Sequence, residues 1–241
     1  VAPLTPILRW FFEQPFANRN HWNQAFFLEV PADLDLASMD AALQAVVAHH
    51  DAFRLRFRHE ETGWRAWHAP SHPPVPFEHV DLTNVPSDIV PAVVDQAAAS
   101  AQAGLDITEG PLVRAVYFSG GSTPARLLLV IHHVAVDAVS WSVLLEDLET
   151  AYFAVKGQHE LQLPHRTTSF KFWSERLSAF GATEAEKGLA HWIRPIDERA
   201  AVPPCARSAD RAANSEESAC TVTMSLTPGE TDALLHRVPA Q

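Results

Sequence analysis

The sequence predicts an α/β fold with a central sheet flanked by helices, and two observations carry this prediction. Leu127–Ile131 is apolar at every position, which is typical of a strand buried on both faces and therefore central in its sheet. Val139–Lys156 carries large apolar residues at steps of three and four, the period of a helix that packs one face on a core. At 241 residues and 47% hydrophobic content, the chain can bury a sizeable core.

Capping signals and apolar spacing predict the other helices. Thr5-Pro6 offers a hydroxyl cap followed by Pro at the first helical position, so a helix should follow with Ile7, Trp10 and Phe11 on one face. Asp35 is placed to cap a second helix. Further helices are predicted over 88–103, 170–180 and 183–192, and after Thr227-Pro228.

Short alternating or apolar runs predict the strands. Arg54–His59 and Trp64–His68 form a hairpin pattern with Gly63 at its turn. The other predicted strands are Gln24–Val30, Leu112–Phe118, Arg126–His132 and Ala219–Ser225, with Gly120-Gly121 as a turn. Ser71–Pro76 is Pro-rich and should be an extended connection, and the polar segment 203–218 is predicted to be a mobile loop.

Composition excludes some classes of function. The formal net charge is −11, and such a chain is poorly suited to binding nucleic acid or an anionic membrane through a basic surface. No apolar run approaches the roughly 20 residues that cross a bilayer, and the first ten residues lack a signal-peptide pattern. We therefore expect a cytoplasmic protein with neither nucleic acid nor membrane as a partner.

The segment 131–141 carries the chemistry. His132 and His133 end the apolar strand, and Asp137 follows four residues after His133, just before a helix. Loops at the ends of buried strands combine a rigid scaffold with exposure, and a His there can take or give a proton near neutral pH. Asp137 could cap the helix or pair with an Arg. The pattern predicts an acid/base site.

Other interpretations of the same residues stay open at this point. A His pair after a strand can be purely structural or face solvent. A metal site is disfavoured, because adjacent strand residues point to opposite faces and do not easily hold one ion. A Ser-His-Asp hydrolase is disfavoured because Ser140 lacks the Gly-x-Ser-x-Gly elbow.

Several segments, in order along the chain, resemble one family. Residues 132–137 (HHVAVD) fit the HHxxxD signature of the condensation-domain superfamily of non-ribosomal peptide synthetases. Residues 3–12 (PLTPILRWFF) and 21–24 (HWNQ) resemble the epimerization branch of that superfamily. Residues 50–54 (HDAFR) resemble its His-Glu-x-Leu-Arg stretch, and 139–141 (VSW) with 144–148 (LLEDL) follow the signature as in epimerization domains.

The resemblance implies a chloramphenicol acetyltransferase-like lobe with a mixed sheet, and residues 1–241 would be the first of two lobes. The second lobe, with a catalytic Glu, would be absent, so the isolated chain should be inactive. The implied reaction is epimerization of the α-carbon of an aminoacyl or peptidyl thioester, carried on the phosphopantetheine arm of a peptidyl carrier protein beside other synthetase domains. No metal or redox cofactor is implied. The alternatives are an amide-forming condensation domain and a non-catalytic lobe that docks a carrier protein.

The resemblance also assigns roles to residues. His133 would be the acid/base or the donor that stabilises an enolate, while His132 would pack away from the substrate. Asp137 would hold the loop through an ion pair with Arg54, with Arg56 and Arg114 as alternatives. The candidates for the substrate channel are His21, Trp22, Ala138, Ser140 and Trp141. Two positions depart from the family pattern: Ala138 replaces the usual Gly, and Ser142 stands where the branch commonly has Arg.

Overall fold

The computed structural model describes residues 1–121, 124–193 and 220–238. The chain divides into two compact units, Val1–Pro195 and Ile196–Gln241. The first unit mixes helices with a sheet of mixed strand directions, so the predicted α/β class is confirmed.

Most predicted elements of the first unit are present, with small shifts at their ends. Its helices are α1 (Pro6–Glu13), α2 (Leu36–His49), α3 (Val90–Ala103), α4 (Ala138–Lys156), α5 (Phe170–Thr183) and α6 (Ala185–Trp192). Short 3₁₀ turns cover Arg19–His21 and Asp51–Arg54. Its strands are β1 (Asn23–Glu29), β2 (Leu55–Glu60), β3 (Gly63–His68), β4 (Phe77–Asp81), β5 (Val113–Ser119) and β6 (Arg126–His132).

The main sheet has the strand order β1-β6-β5-β4. Strand β6 pairs antiparallel with β1 and with β5, and β4 pairs parallel with β5. The all-apolar strand is therefore central, as predicted. Its register places Asn23 of β1 opposite His132, the last residue of β6, so the start of β1 lies at the edge of the sheet where the two histidines are.

Alternation along β6 explains why all its central residues are apolar. Leu127, Leu129 and Ile131 pack in the core cluster that includes α2 and α4. Leu128 and Val130 point to the other face and pack with residues of α3. Each face of the strand thus meets a helix layer, and the five positions from Leu127 to Ile131 are all apolar.

A third core cluster lies between α1 and the β2–β3 hairpin. Leu8, Phe11 and Phe12 of α1 pack with Leu55 and Phe57 of β2. The hairpin turns at Gly63, whose φ of 110° is a conformation that residues with a side chain rarely adopt. This packing fixes α1 beside the end of β6.

The structure corrects four predictions and leaves a fifth outside its range. Thr5 and Asp35 hold the N-cap positions of α1 and α2, but neither side chain forms the predicted cap hydrogen bond. Strand β4 was not predicted, because its sequence alternates weakly and carries charge; it is held by its parallel ladder with β5. The predicted strand Ala219–Ser225 is absent from its described part, residues 220–225, which form no regular structure. The predicted mobile loop 203–218 lies outside the described residues.

In the second unit a helix begins where Thr227-Pro228 predicts it. Helix α7 spans Pro228–Asp232 and continues as a π-helical turn over Ala233–Arg237. The Thr227 hydroxyl accepts from the Glu230 N–H while the Glu230 carboxylate accepts from the Thr227 N–H, a reciprocal capping box. Across the described ranges of both units, no helix is long and apolar enough to cross a membrane.

Candidate active site

The two histidines leave β6 in opposite directions. The antiparallel ladder between β1 and β6 continues one residue past the strand, since the His133 N–H donates to the Trp22 carbonyl at 2.9 Å. Because side chains alternate along an extended chain, His132 points into the core and His133 points to the face that carries α4. A turn follows, in which the Ala135 N–H donates to the His132 carbonyl at 2.9 Å.

His132 is a buried structural group. Its side chain is 0% exposed, and its Nε2–H donates to the Arg19 carbonyl at 2.7 Å. Its Nδ1 accepts the Val134 N–H at 3.2 Å. Burial lowers the pKa of His132 to about 4, so the ring is neutral at pH 7 and both its nitrogens are used in holding the loop.

His133 is half-buried and faces a cavity. Its Nδ1–H donates to the Val136 carbonyl at 2.8 Å, and its Nε2 lies 3.3 Å from the side-chain amide nitrogen of Gln24. The Trp22 indole stacks on the ring, with centroids 6.0 Å apart and planes within 10°. The ring is thus held on three sides while remaining accessible from the cavity.

The cavity has a volume of about 560 Å³, a size typical of small-molecule sites. Its wall is mostly apolar, with a few polar groups near His133. The lining residues include Ile7, Trp10, Phe11, Trp22, Ala52, His133, Val134, Asp137, Ser140 and Phe170. The predicted face of α1 carrying Ile7, Trp10 and Phe11 therefore forms one wall of the cavity. Such a site can hold an apolar chain and present an imidazole to it.

Asp137 is the N-cap of α4. Its Oδ1 accepts the Ser140 N–H at 2.8 Å and the Ser140 hydroxyl at 2.7 Å. The hydrogen bond from the Ser140 hydroxyl, followed by the bond from its N–H, lowers the pKa of Asp137. Of the two roles that the sequence left open for this carboxylate, the structure forms the helix cap.

The predicted ion pair between Asp137 and an Arg is not formed within the described ranges. Asp137 is exposed at the start of α4, whereas Arg54 buries its Nε without a described partner. The two alternatives are engaged elsewhere: Arg56 donates to the Phe53 and Leu55 carbonyls, and Arg114 pairs with Glu78 at 2.7 Å. The helix cap at Asp137 therefore holds the loop, which was the role expected of the Asp137–Arg ion pair.

The structure separates the predicted channel residues into two groups. Trp22 and Ser140 line the cavity. His21 is exposed in a 3₁₀ turn, Ala138 is exposed at the start of α4, and Trp141 is 3% exposed in the core. These three are not among the described lining residues, and Trp141 instead donates its indole N–H to the Gln24 side chain at 2.8 Å.

Gln24 belongs to the matched segment 21–24, but no role at the site was predicted for it. It contacts both His133 and Trp141 through its side-chain amide. The available signal was its spacing: it follows Trp22, the residue before β1, by two positions. The ladder continues through the Trp22 carbonyl, so both side chains lie on one face. Recognising its role also required the register between β1 and β6, which the local sequence does not contain.

A cluster of potential metal ligands lies outside the cavity. Ligand atoms of His49, His50 and Asp147 fall within 4.8 Å of one another. Asp147 is buried, and its Oδ2 lies 2.8 Å from the Nε2 of His50. We assign this contact to the packing of α2 against α4. His132, His133 and Asp137 form no such cluster within the described residues.

Comparison with known proteins places this geometry in a family. A family model described as "Condensation domain" matches residues 1–240. The chain is 40% identical over 237 residues to a subunit of linear gramicidin synthase from Brevibacillus parabrevis, and 37% identical over 239 residues to a chondramide synthase from Chondromyces crocatus. These matches cover 97% and 98% of the chain but only 3% and 6% of those relatives, so the chain is a small part of their length.

Solved structures agree with the family match. The epimerization domain from the third module of tyrocidine synthetase B superposes with a TM-score of 0.85 at 32% identity, covering 99% of this chain and 54% of that one. A mutant form of the starter condensation domain of rhizomide synthetase superposes at 0.67 with 18% identity, covering 80% of this chain and 47% of that one. The chain therefore belongs to the condensation domain family of non-ribosomal peptide synthetases.

Proposed function

We propose that the chain is the His133-bearing lobe of an epimerization domain. The complete domain would invert the α-carbon of an aminoacyl or peptidyl thioester that a carrier protein presents on its phosphopantetheine arm. The single observation that carries this proposal is the contrast between two structural neighbours. The epimerization domain matches 99% of this chain with a TM-score of 0.85, against 80% and 0.67 for the starter condensation domain.

The site chemistry supports a proton transfer. A thioester carbonyl acidifies the hydrogen on the neighbouring α-carbon, and a positioned imidazole can remove or return that proton. His133 lines the cavity, and its Nδ1 is anchored on the Val136 carbonyl. The apolar side chains of Ile7, Trp10 and Trp22 line the cavity and would contact the substrate.

Inversion needs a second proton-transfer group on the opposite side of the substrate. The chain spans 54% of the epimerization domain that it matches, and we propose that the other part of the complete domain, its second lobe, supplies this group as a Glu. Because removing and returning a proton changes no oxidation state, the proposed reaction requires no metal or redox cofactor. The partners would be a peptidyl carrier protein, the second lobe and neighbouring synthetase domains.

The test uses the complete two-lobe protein encoded by the parent gene. Carrier protein loaded with L-aminoacyl thioester is incubated with it in heavy water, and the released amino acid is analysed for deuterium and chirality. Deuterium uptake with a mixture of D and L product is expected. Amide formation with an added acceptor, without uptake, would instead assign the site to condensation, the activity that the family description itself suggests. Binding of the carrier protein with neither reaction would instead indicate a non-catalytic docking lobe.

A further inference from the structure

We infer that Gln24 is a positioning residue that holds the His133 ring in its neutral form, with the hydrogen on Nδ1 and with Nε2 as a hydrogen-bond acceptor. This inference rests on the proposed function for its meaning in catalysis. Its structural content, the protonation pattern of one imidazole, is independent of that function and can be measured in the 241-residue chain itself.

The orientation of the Gln24 amide is fixed by Trp141. An indole N–H can only donate, and it lies 2.8 Å from the Gln24 Oε1. The amide oxygen must therefore face Trp141, since the reverse orientation would place two donors against each other. Trp141 is 3% exposed, so water cannot readily replace either partner, and an unpaired buried donor would be destabilising.

The orientation of the amide then determines what faces His133. The Gln24 amide nitrogen, which carries only donors, lies 3.3 Å from the His133 Nε2. An accepting Nε2 suits this contact, and a protonated Nε2 would oppose donor to donor. The contact of Nδ1 gives the same result independently. The Val136 carbonyl oxygen lies 2.8 Å from Nδ1 and can only accept, so Nδ1 must carry the hydrogen. Both contacts select the neutral ring with its hydrogen on Nδ1.

Strand β1 makes this arrangement rigid. Gln24 and Phe26 of β1, and Trp22 just before it, alternate with residues of the other face and so lie on one side. Trp22 stacks on His133, Gln24 bonds to His133 and Trp141, and Phe26 packs on Trp141 with ring centroids 4.4 Å apart. Because β1 is paired along its length with β6, the row cannot slide relative to the strand that ends in the histidines.

The arrangement distinguishes two roles for His133 in the proposed reaction. A group that stabilises an enolate must offer a hydrogen to the substrate, whereas a base must offer a lone pair. With Nδ1–H committed to Val136, the lone pair is on Nε2, where it accepts the Gln24 amide N–H; a substrate proton would take the place of that N–H. Proton removal forms Nε2–H, so the Gln24 amide N–H must leave Nε2 at that step, because two donors would otherwise face each other.

The test measures directly which of the two ring nitrogens of His133 is protonated. ¹⁵N-labelled chain is studied at about pH 8 by long-range proton–nitrogen NMR, with His133→Gln identifying the resonances. Wild type should show a protonated Nδ1 and an unprotonated Nε2. In Gln24→Glu the new carboxylate accepts from Nε2–H, so both nitrogens should stay protonated to a pH about 1–3 units higher. Gln96→Glu, exposed on α3, makes the same charge change away from the site and should match wild type.

Two results would overturn the inference. One is a wild-type Nε2 that carries the hydrogen at pH 8; this measurement stands even if Gln24→Glu fails to fold. The other is a folded Gln24→Glu chain whose His133 titrates as in wild type. In the complete domain, Gln24→Glu should slow α-carbon exchange at least about 10-fold and Gln96→Glu should not. Absence of exchange in the wild-type domain would reject the proposed function and leave the NMR result to decide the role of Gln24.

Discussion

Acidification should destabilise the first unit through His132. In the folded chain, burial holds the pKa of this ring at about 4, against an ordinary value of 6.5. The unfolded chain therefore binds a proton between these pH values that the folded chain does not. Each pKa unit of difference is worth about 1.4 kcal/mol, so the free energy of unfolding should fall by about 3 kcal/mol between pH 6.5 and 4. Above pH 6.5 the contribution is fully present.

The assay is urea unfolding followed by circular dichroism at about pH 7 and about pH 4, on wild type and His132→Gln. The Gln side chain can still donate to the Arg19 carbonyl but does not titrate. Other groups, including the partly buried His49 and His68, whose pKa values burial also lowers, act equally in both proteins. The wild type should lose about 3 kcal/mol more than the variant on acidification. An equal loss in both proteins would refute the buried neutral ring.

Two further predictions concern the cap of α4 and the packing of β6, the two elements that flank the site. Asp137→Ala should lower the free energy of unfolding by about 1 kcal/mol, because the cap of α4 is lost. Asp137→Asn should lower it by much less, because its amide oxygen can still cap the helix. Equal losses of about 3–5 kcal/mol for the two variants in urea titrations would instead indicate a buried ion pair. Leu127→Ala, at a side chain 1% exposed on β6, should cost about 2–5 kcal/mol, while Leu189→Ala on the exposed face of α6 should stay within about 0.5 kcal/mol. Similar losses for the two Leu variants would contradict the central position of β6.

Elements with a strong local signal could be predicted from the sequence. The apolar run of β6 indicated burial on both faces, and Thr5-Pro6 and Gly63 marked the helix start and the hairpin turn that the structure contains. The segment 131–141 predicted where two histidines leave a buried strand, and the acid/base role of that site stays a prediction. These features are determined by residues that are close together in the chain, so they can be predicted from local sequence patterns.

The features that were missed depend on contacts between distant segments. Strand β4 carries Glu78, His79 and Asp81, and it exists because β5 offers it a parallel ladder. Gln24 is an ordinary strand residue until the pairing of β1 with β6 brings it to His133. The expected Arg54–Asp137 pair assumed a side-chain approach that no local pattern determines, and the cap at Ser140 satisfies Asp137 instead.

The central claim is that His133 transfers the α-carbon proton, and replacing that ring tests it most directly. In the complete two-lobe protein, deuterium exchange into carrier-bound L-aminoacyl thioester should fall by at least about 100-fold in His133→Ala, with an unchanged circular dichroism spectrum. His165→Ala, at an exposed histidine outside the cavity lining, is the matched control and should exchange at the wild-type rate. Exchange by a folded His133→Ala protein at the rate of His165→Ala would contradict the account.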